Sequence, residues 1–248
     1  MEQRKFLGAC KTGDIQTLRS LDYSKIDIHA YDEWAFRYTC INSHLNIIQF
    51  LLTLEPKYGR INIHVKDEDA FRRACENGHL DIVQFLLTLE SEYGRINIHA
   101  EGGYAFRYAC ENGHLDVVKY LLSLEPDHGR INIHACDEWA FRWACDSWRL
   151  NVVKFLLSLE SDHGRIDIHC RSDSAFRTGN FHIKHLLLRR DPNYDWKQVN
   201  GVYGHDKYCK ELNQIVECLA LLHQKMLQID TDILELNVIG IVQEFLLG

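Results

Sequence analysis

The sequence predicts an all-α solenoid of 35-residue helix-loop-helix units with a C-terminal helical cap. Two observations carry this prediction. The first is self-similarity at a fixed period. Ile-x-Ile followed by His ends at His29, His64, His99, His134 and His169, each step being 35 residues. Phe36, Phe71, Phe106, Phe141 and Phe176 keep the same step, and so do Cys40, Cys75, Cys110 and Cys145. The second is the apolar spacing inside each unit. In the third unit Ala105, Phe106, Ala109 and Cys110 line one helical face. Leu115, Val118, Leu121 and Leu122 line a second. Neither helix, at roughly three turns, is stable alone in water. Stacking buries both stripes in one continuous core.

The elements follow in chain order. Residues 1–28 hold a partial unit, because LGACKTGDIQTLRSL aligns with the helix pair but its outer loop is shorter. Residues 29–188 hold the repeats. Within each, a break such as Asn112-Gly113 ends the first helix, Gly supplying the left-handed conformation of a C-cap. An extended segment such as LEPDHGR follows the second helix as an outer loop. The fifth unit is truncated: AFRTGNFHIKHLLL lacks about four residues of the first helix, and terminal repeats are expected to be atypical. Residues 189–248 leave the repeat. DPNYDWKQVNGVYGH reads as a loop. Residues 206–228 read as an amphipathic helix with Tyr208, Leu212, Ile215, Leu219, Leu222 and Met226 on one side. Asp230-Thr231-Asp232 then caps a second helix running to about Leu247. This segment either covers the end of the stack or docks a helical partner.

ACENGHLDVVKYLL, from Ala109 to Leu122, resembles the ankyrin repeat consensus around A-A-x-x-G-H-L-x-V-V-x-x-L-L, and INIHA resembles the family's V-N-A finger. The resemblance covers about residues 6–188. It implies an L-shaped helix-loop-helix stack with a concave binding face, and a protein–protein scaffold rather than an enzyme. The family's D-x-x-G-x-T-P-L-H start is missing, and DEWAFR or DEDAFR stands there. A shortened stretch before the first helix and a lengthened one after the second turn a repeat of about 33 residues into 35. On this reading the first helices begin at Asp32, Asp67 and Asp137, with Asp as N-cap. The longer unit also resembles ankyrin proteins of large DNA (giant) viruses, which implies a viral source and a host–virus interaction. DILELNVIGIVQEFL resembles the F-box-like tails of some of these proteins, without their Leu-Pro start. That likeness implies the alternative function, a substrate adaptor whose tail recruits ubiquitin-ligase machinery.

Composition narrows the remaining classes. Apolar and charged fractions of 46% and 25% belong to a folded soluble chain. A net charge of -7 repels a phosphate backbone, so nucleic acid is not expected as a partner. The N-terminal MEQRKFLGACKTGDIQTL has no apolar core long enough for a signal peptide. No run approaches the roughly 18 apolar residues of a membrane span. The nine cysteines are therefore expected to be reduced, in a monomer of the cytoplasm (the host cell's, for a viral protein) or the nucleus. No cofactor is expected, and no P-loop, G-x-G-x-x-G, H-E-x-x-H or G-x-S-x-G motif occurs.

Nine Cys and fourteen His invite a metal reading, but one residue per repeat cannot converge on one ion. The ladder cysteines are expected as small buried groups. His182-x-x-His185 reads as a surface pair. The finger histidines, His29 to His169, are expected to hydrogen-bond between neighbouring fingers. His44, His79 and His114 open the second helices. The acidic residues are expected on solvated loops. Arg37, Arg72, Arg107, Arg142 and Arg177 form a ladder, either bonding acidic tips and neighbouring carbonyls or making a cationic ridge.

Positions that vary between units hold the functional candidates. Four residues apart on the first helix stand Trp34/Tyr38, Asp69/Arg73, Tyr104/Tyr108, Trp139/Trp143 and Ser174/Thr178. Such pairs touch on a helix surface, so they stabilise the helix or build a binding face. Trp and Tyr dominate protein interfaces. Trp148 stands where Gly78 and Gly113 break their helices, a strained place for a bulky residue. The expected partner surface therefore comprises Trp34, Tyr38, Tyr104, Tyr108, Trp139, Trp143 and Trp148.

Overall fold

The computed structural model describes residues 1–191 and Tyr194. The helices expected over 206–228 and up to Leu247 lie outside the described residues. Among the described residues every regular element is helical. The partial N-terminal unit is α1 (Glu2–Thr12) and α2 (Ile15–Ser20). Units one to four each have a long first helix, a second helix and a short outer one. These are α3 (Ala30–Ile41), α4 (Leu45–Thr53) and α5 (Glu55–Tyr58), then α6 (Val65–Glu76), α7 (Leu80–Thr88) and α8 (Glu90–Tyr93). They continue as α9 (Ala100–Asn112), α10 (Leu115–Ser123) and α11 (Glu125–His128), then α12 (Ala135–Asp146), α13 (Leu150–Ser158) and α14 (Glu160–His163). Unit five is α15 (Cys170–Thr178) and α16 (Phe181–Arg190), with a shortened first helix.

The core is the repeat made physical. Phe36, Phe71, Phe106, Phe141 and Phe176 are buried, one per unit, with Phe6 extending the row into α1. Cys10, Cys40, Cys75, Cys110 and Cys145 are buried beside them. Both isoleucines of each finger are buried, and the second helices add rows such as Val117, Val118 and Leu121. Burial pushes the Cys10 thiol up to about 12 and the other four up as well, so these groups behave as apolar filler.

The start of each first helix corrects the expected Asp cap. Asp32, Asp67 and Asp137 cap nothing with their side chains; each is the middle residue of a left-handed turn. Tyr31, Asp32 and Glu33 have φ of 59, 55 and 56, and the same turn recurs at the head of every unit. Each left-handed residue with a Cβ costs about 1–2 kcal/mol. Interactions at both ends of the turn offset this cost. Arg37 Nε donates to the Asp32 carbonyl (2.8 Å) and its Nη2 to that of Tyr31 (3.2 Å). Arg72, Arg107 and Arg142 do the same in their units, and Arg177 reaches the Arg171 carbonyl. The arginine ladder is thus a carbonyl clamp, with Arg37 and Arg72 buried.

The third residue of the turn corrects a second expectation. Glu33, Glu68 and Glu138 are buried rather than solvated, each 6% exposed. Glu33 Oε1 lies 2.9 Å from His29 Nδ1 and accepts from the Asn62 amide of the next finger (3.1 Å). His29 Nε2 faces the Tyr58 carbonyl at 3.0 Å. Finger histidine, turn glutamate and the following unit are therefore tied together, and the pattern repeats at His64 and His134.

The added outer residues form a helical turn instead of an open loop. Glu55, Glu90 and Glu125 accept from the amides of Ile61, Ile96 and Ile131, all at 2.9 Å. The free oxygen of Glu55 takes the Tyr93 hydroxyl of the next unit at 2.5 Å.

Candidate functional site

The open side of the stack carries three positions per first helix, spaced i, i+4 and i+7, which one helical face presents together. In unit one these are Trp34, Tyr38 and Ile41; in unit two Asp69, Arg73 and Glu76. Unit three has Tyr104, Tyr108 and Glu111, and unit four Trp139, Trp143 and Asp146. Their flanking positions (Ala105, Phe106, Ala109, Cys110 in α9) are buried in the stack, which leaves the three toward the outward face, Asp69 alone among them being buried.

Four of the expected rings form one run. Tyr104 stacks on Tyr108 with ring centres 3.9 Å apart, Tyr108 meets Trp139 at 4.9 Å, and Trp139 meets Trp143 at 5.4 Å. All four are half-buried. Trp34 and Tyr38 stack at 3.9 Å as a separate pair. Unit two interrupts the aromatic surface with charge.

The expected Asp69/Arg73 pair forms there, and each partner also reaches beyond it. Asp69 takes Arg37 Nη1 of unit one at 2.6 Å, with both side chains largely buried, while Arg73 Nε stands 3.4 Å from it. Arg73 also donates from Nη1 to Glu76 Oε2 (2.6 Å) and to Tyr104 Oη (2.8 Å). The Tyr104 hydroxyl donates to the same Glu76 oxygen at 2.9 Å. Burial and the Glu76 carboxylate push the Tyr104 phenol up, so it stays a donor. Ser174 and Thr178 bond only through the Ser174 carbonyl.

Trp148 lies apart from the run, in the turn between α12 and α13. It is left-handed (φ 60), 64% exposed, and its Nε1 donates to the Thr178 carbonyl of unit five (3.2 Å). A Cβ at Gly78 would stand 2.3 Å from the His114 ring, and one at Gly113 would stand 2.7 Å from Arg149 Cδ. In unit five the corresponding residue before the second helix is Asn180, much smaller than His or Arg.

Glu76, Glu111 and Asp146 were not among the sequence candidates, although their i+7 spacing from the varying pair is visible in the chain. Among the described residues no group of three or more His, Cys, Asp or Glu side chains could hold a metal ion. No helix among them is long and apolar enough to cross a membrane.

Stacked two-helix units with one varying outward face define a helical-repeat solenoid. The model of ankyrin repeats (3 copies) matches residues 6–97 and 93–168, and the chain belongs to the ankyrin repeat family, whose repeats generally mediate protein–protein interaction. Among solved structures the chain is similar to the X-ray structure of an ankyrin repeat family protein from Legionella pneumophila. That likeness has 22% identity over 76% of this chain and 70% of that chain, with a TM-score of 0.43. No curated protein matches the chain.

Proposed function

We propose that this chain is a non-catalytic scaffold that captures another protein on the face of its first helices, centred on Tyr104, Tyr108, Trp139 and Trp143. The observation that carries the reading is the unbroken run of four half-buried rings across units three and four. Large rings cover much area with few rotatable bonds, and stacking on rigid helices holds them ready for a partner. Trp34 and Tyr38 form a second, smaller anchor, and Trp148 extends the surface toward unit five. The scaffold acts as a cytoplasmic monomer.

The test is partner recovery by full-length protein and by Trp139→Ala/Trp143→Ala. Loss of the partner with the unfolding midpoint retained supports the face; unchanged recovery overturns it. Deleting residues 205–248 probes the adaptor role. A truncated protein that keeps its partner but loses ubiquitin-ligase components would assign that role to the tail.

A further inference from the structure

Besides the clamp arginine over the next unit's ring (Arg72 on Tyr104, Arg107 on Trp139), unit two supplies a second cation to the outward face, and unit three does not. Arg73 sits between the Glu76 carboxylate and the Tyr104 ring of the following unit, its guanidinium carbon 5.4 Å from the ring centre. Carboxylate, cation and the next unit's ring form a closed set. One unit further on the carboxylate and ring recur as Glu111 and Trp139, but Tyr108 stands in the place of Arg73. Tyr108 fills the space against Trp139 and brings no charge.

Glu111 is consequently left with a buried Oε2 that has no hydrogen-bond partner. Burial first, then the carboxylates of Glu76 and Asp146, push its carboxyl above the usual range; Arg149 works against them. Neither neighbouring arginine meets the need. Arg149 Nε donates to the Glu111 backbone carbonyl at 3.1 Å. Arg107 lies 4.9 Å from the Trp139 ring centre, but its Nε and Nη2 hold the carbonyls of Gly102 and Glu101.

We infer that the partner recognised by this face supplies the missing cation, an arginine or lysine of a basic peptide segment, placed on Glu111 and Asp146 against the rings of Tyr108, Trp139 and Trp143. The inference rests on the reading that the first-helix face is the binding surface. A cation gains from both kinds of group here, because rings attract it over their faces and a desolvated carboxylate pairs with it. An apolar or acidic segment would cover Glu111 and leave it unpaired, and a neutral donor would leave its charge uncompensated, which disfavours those partners. The net charge of -7 favours encounter with a basic segment.

Random dodecapeptides displayed on phage, selected against the full-length protein, provide the probe. Recovered peptides are then titrated by fluorescence polarisation against wild type, Glu111→Gln/Asp146→Asn and Trp139→Ala/Trp143→Ala, with thermal unfolding of each protein recorded alongside. The expected result is enrichment of Arg and Lys and at least tenfold weaker binding to the Gln/Asn protein. Replacing the peptide's arginine by citrulline should weaken binding to wild type by a similar factor and add little to the loss in that variant. Peptides lost on the tryptophan variant but lacking a cation, or indifferent to Glu111→Gln/Asp146→Asn, overturn the cation and leave the face standing. Peptides indifferent to both variants, or no selected peptide at all, overturn the face and the cation together.

Discussion

Two residues show how single side chains set the stability of this stack. His29 faces the Glu33 carboxylate with Nδ1 and the Tyr58 carbonyl with Nε2. Both are acceptors, so the ring can donate at both nitrogens only as imidazolium. Burial works to lower its pKa, but the Glu33 and Tyr58 bonds and the Glu33 and Asp27 charges hold it above 6.5. Burial likewise opposes, and Glu138 and the His163 carbonyl likewise raise, the pKa of His134. A raised folded pKa gives stability that is complete below the unfolded value and lost as pH rises through the folded one. The urea midpoint contribution of these pairs should therefore shrink on going from about pH 6 to about pH 9. His114 acts in the opposite sense, since burial lowers its pKa, so the readout is wild type minus Glu33→Gln/Glu138→Gln at each pH. A difference that grows with pH would contradict the assignment. Trp148 gives the second prediction. Removing its left-handed Cβ by Trp148→Gly should stabilise by about 1 kcal/mol, less the exposed indole bond to Thr178. Gly78→Ala should destabilise, because the His114 ring fills the space. Thermal unfolding decides both.

At the scale of the element, the left-handed turn before each first helix is the feature that residue patterns left hidden. The D-E-W and D-E-D stretches look like N-caps, and Asp is a good cap. Here the chain turns the other way because Arg five residues on holds two turn carbonyls and Glu is buried against the finger histidine. Unit three replaces the last two turn residues by Gly102 and Gly103, which removes strain and, with it, the glutamate. Arg142→Ala should therefore cost about 1–2 kcal/mol and speed amide exchange at Cys136 to Glu138. Arg107→Ala, whose turn is mostly glycine, should cost less. Equal losses would show that the clamp does not hold strain. The first and second helices of the units were legible, including the short first helix of unit five, because their apolar stripes repeat at helical spacing; the short outer helices, which lack such a stripe, were not.

The whole stack behaves as a row of units, each coupled to its neighbours through the Phe, Cys and Ile rows. Phe106→Ala, in the middle of the row, should cost about 3–5 kcal/mol and broaden or split the unfolding transition. Phe6→Ala should fray the N-terminal unit and leave the main transition sharp. The thiols report the same architecture: in native protein Cys136 is exposed and should react with iodoacetamide. Cys10, Cys40, Cys75, Cys110 and Cys145 should stay unlabelled until the stack unfolds.

Period, helix pairs, buried Phe and Cys rows and the outward aromatic pairs were all readable from the chain, because each depends on spacing within one unit. The four-ring run, the Arg37–Asp69 ion pair, the burial of Glu33, Glu68 and Glu138 and the unpartnered Glu111 were not. Each depends on groups about a repeat apart, such as Glu33 and the Asn62 amide at a separation of 29 residues. Only stacking brings those groups within bonding distance, and burial there decides which charges find partners and which are left open.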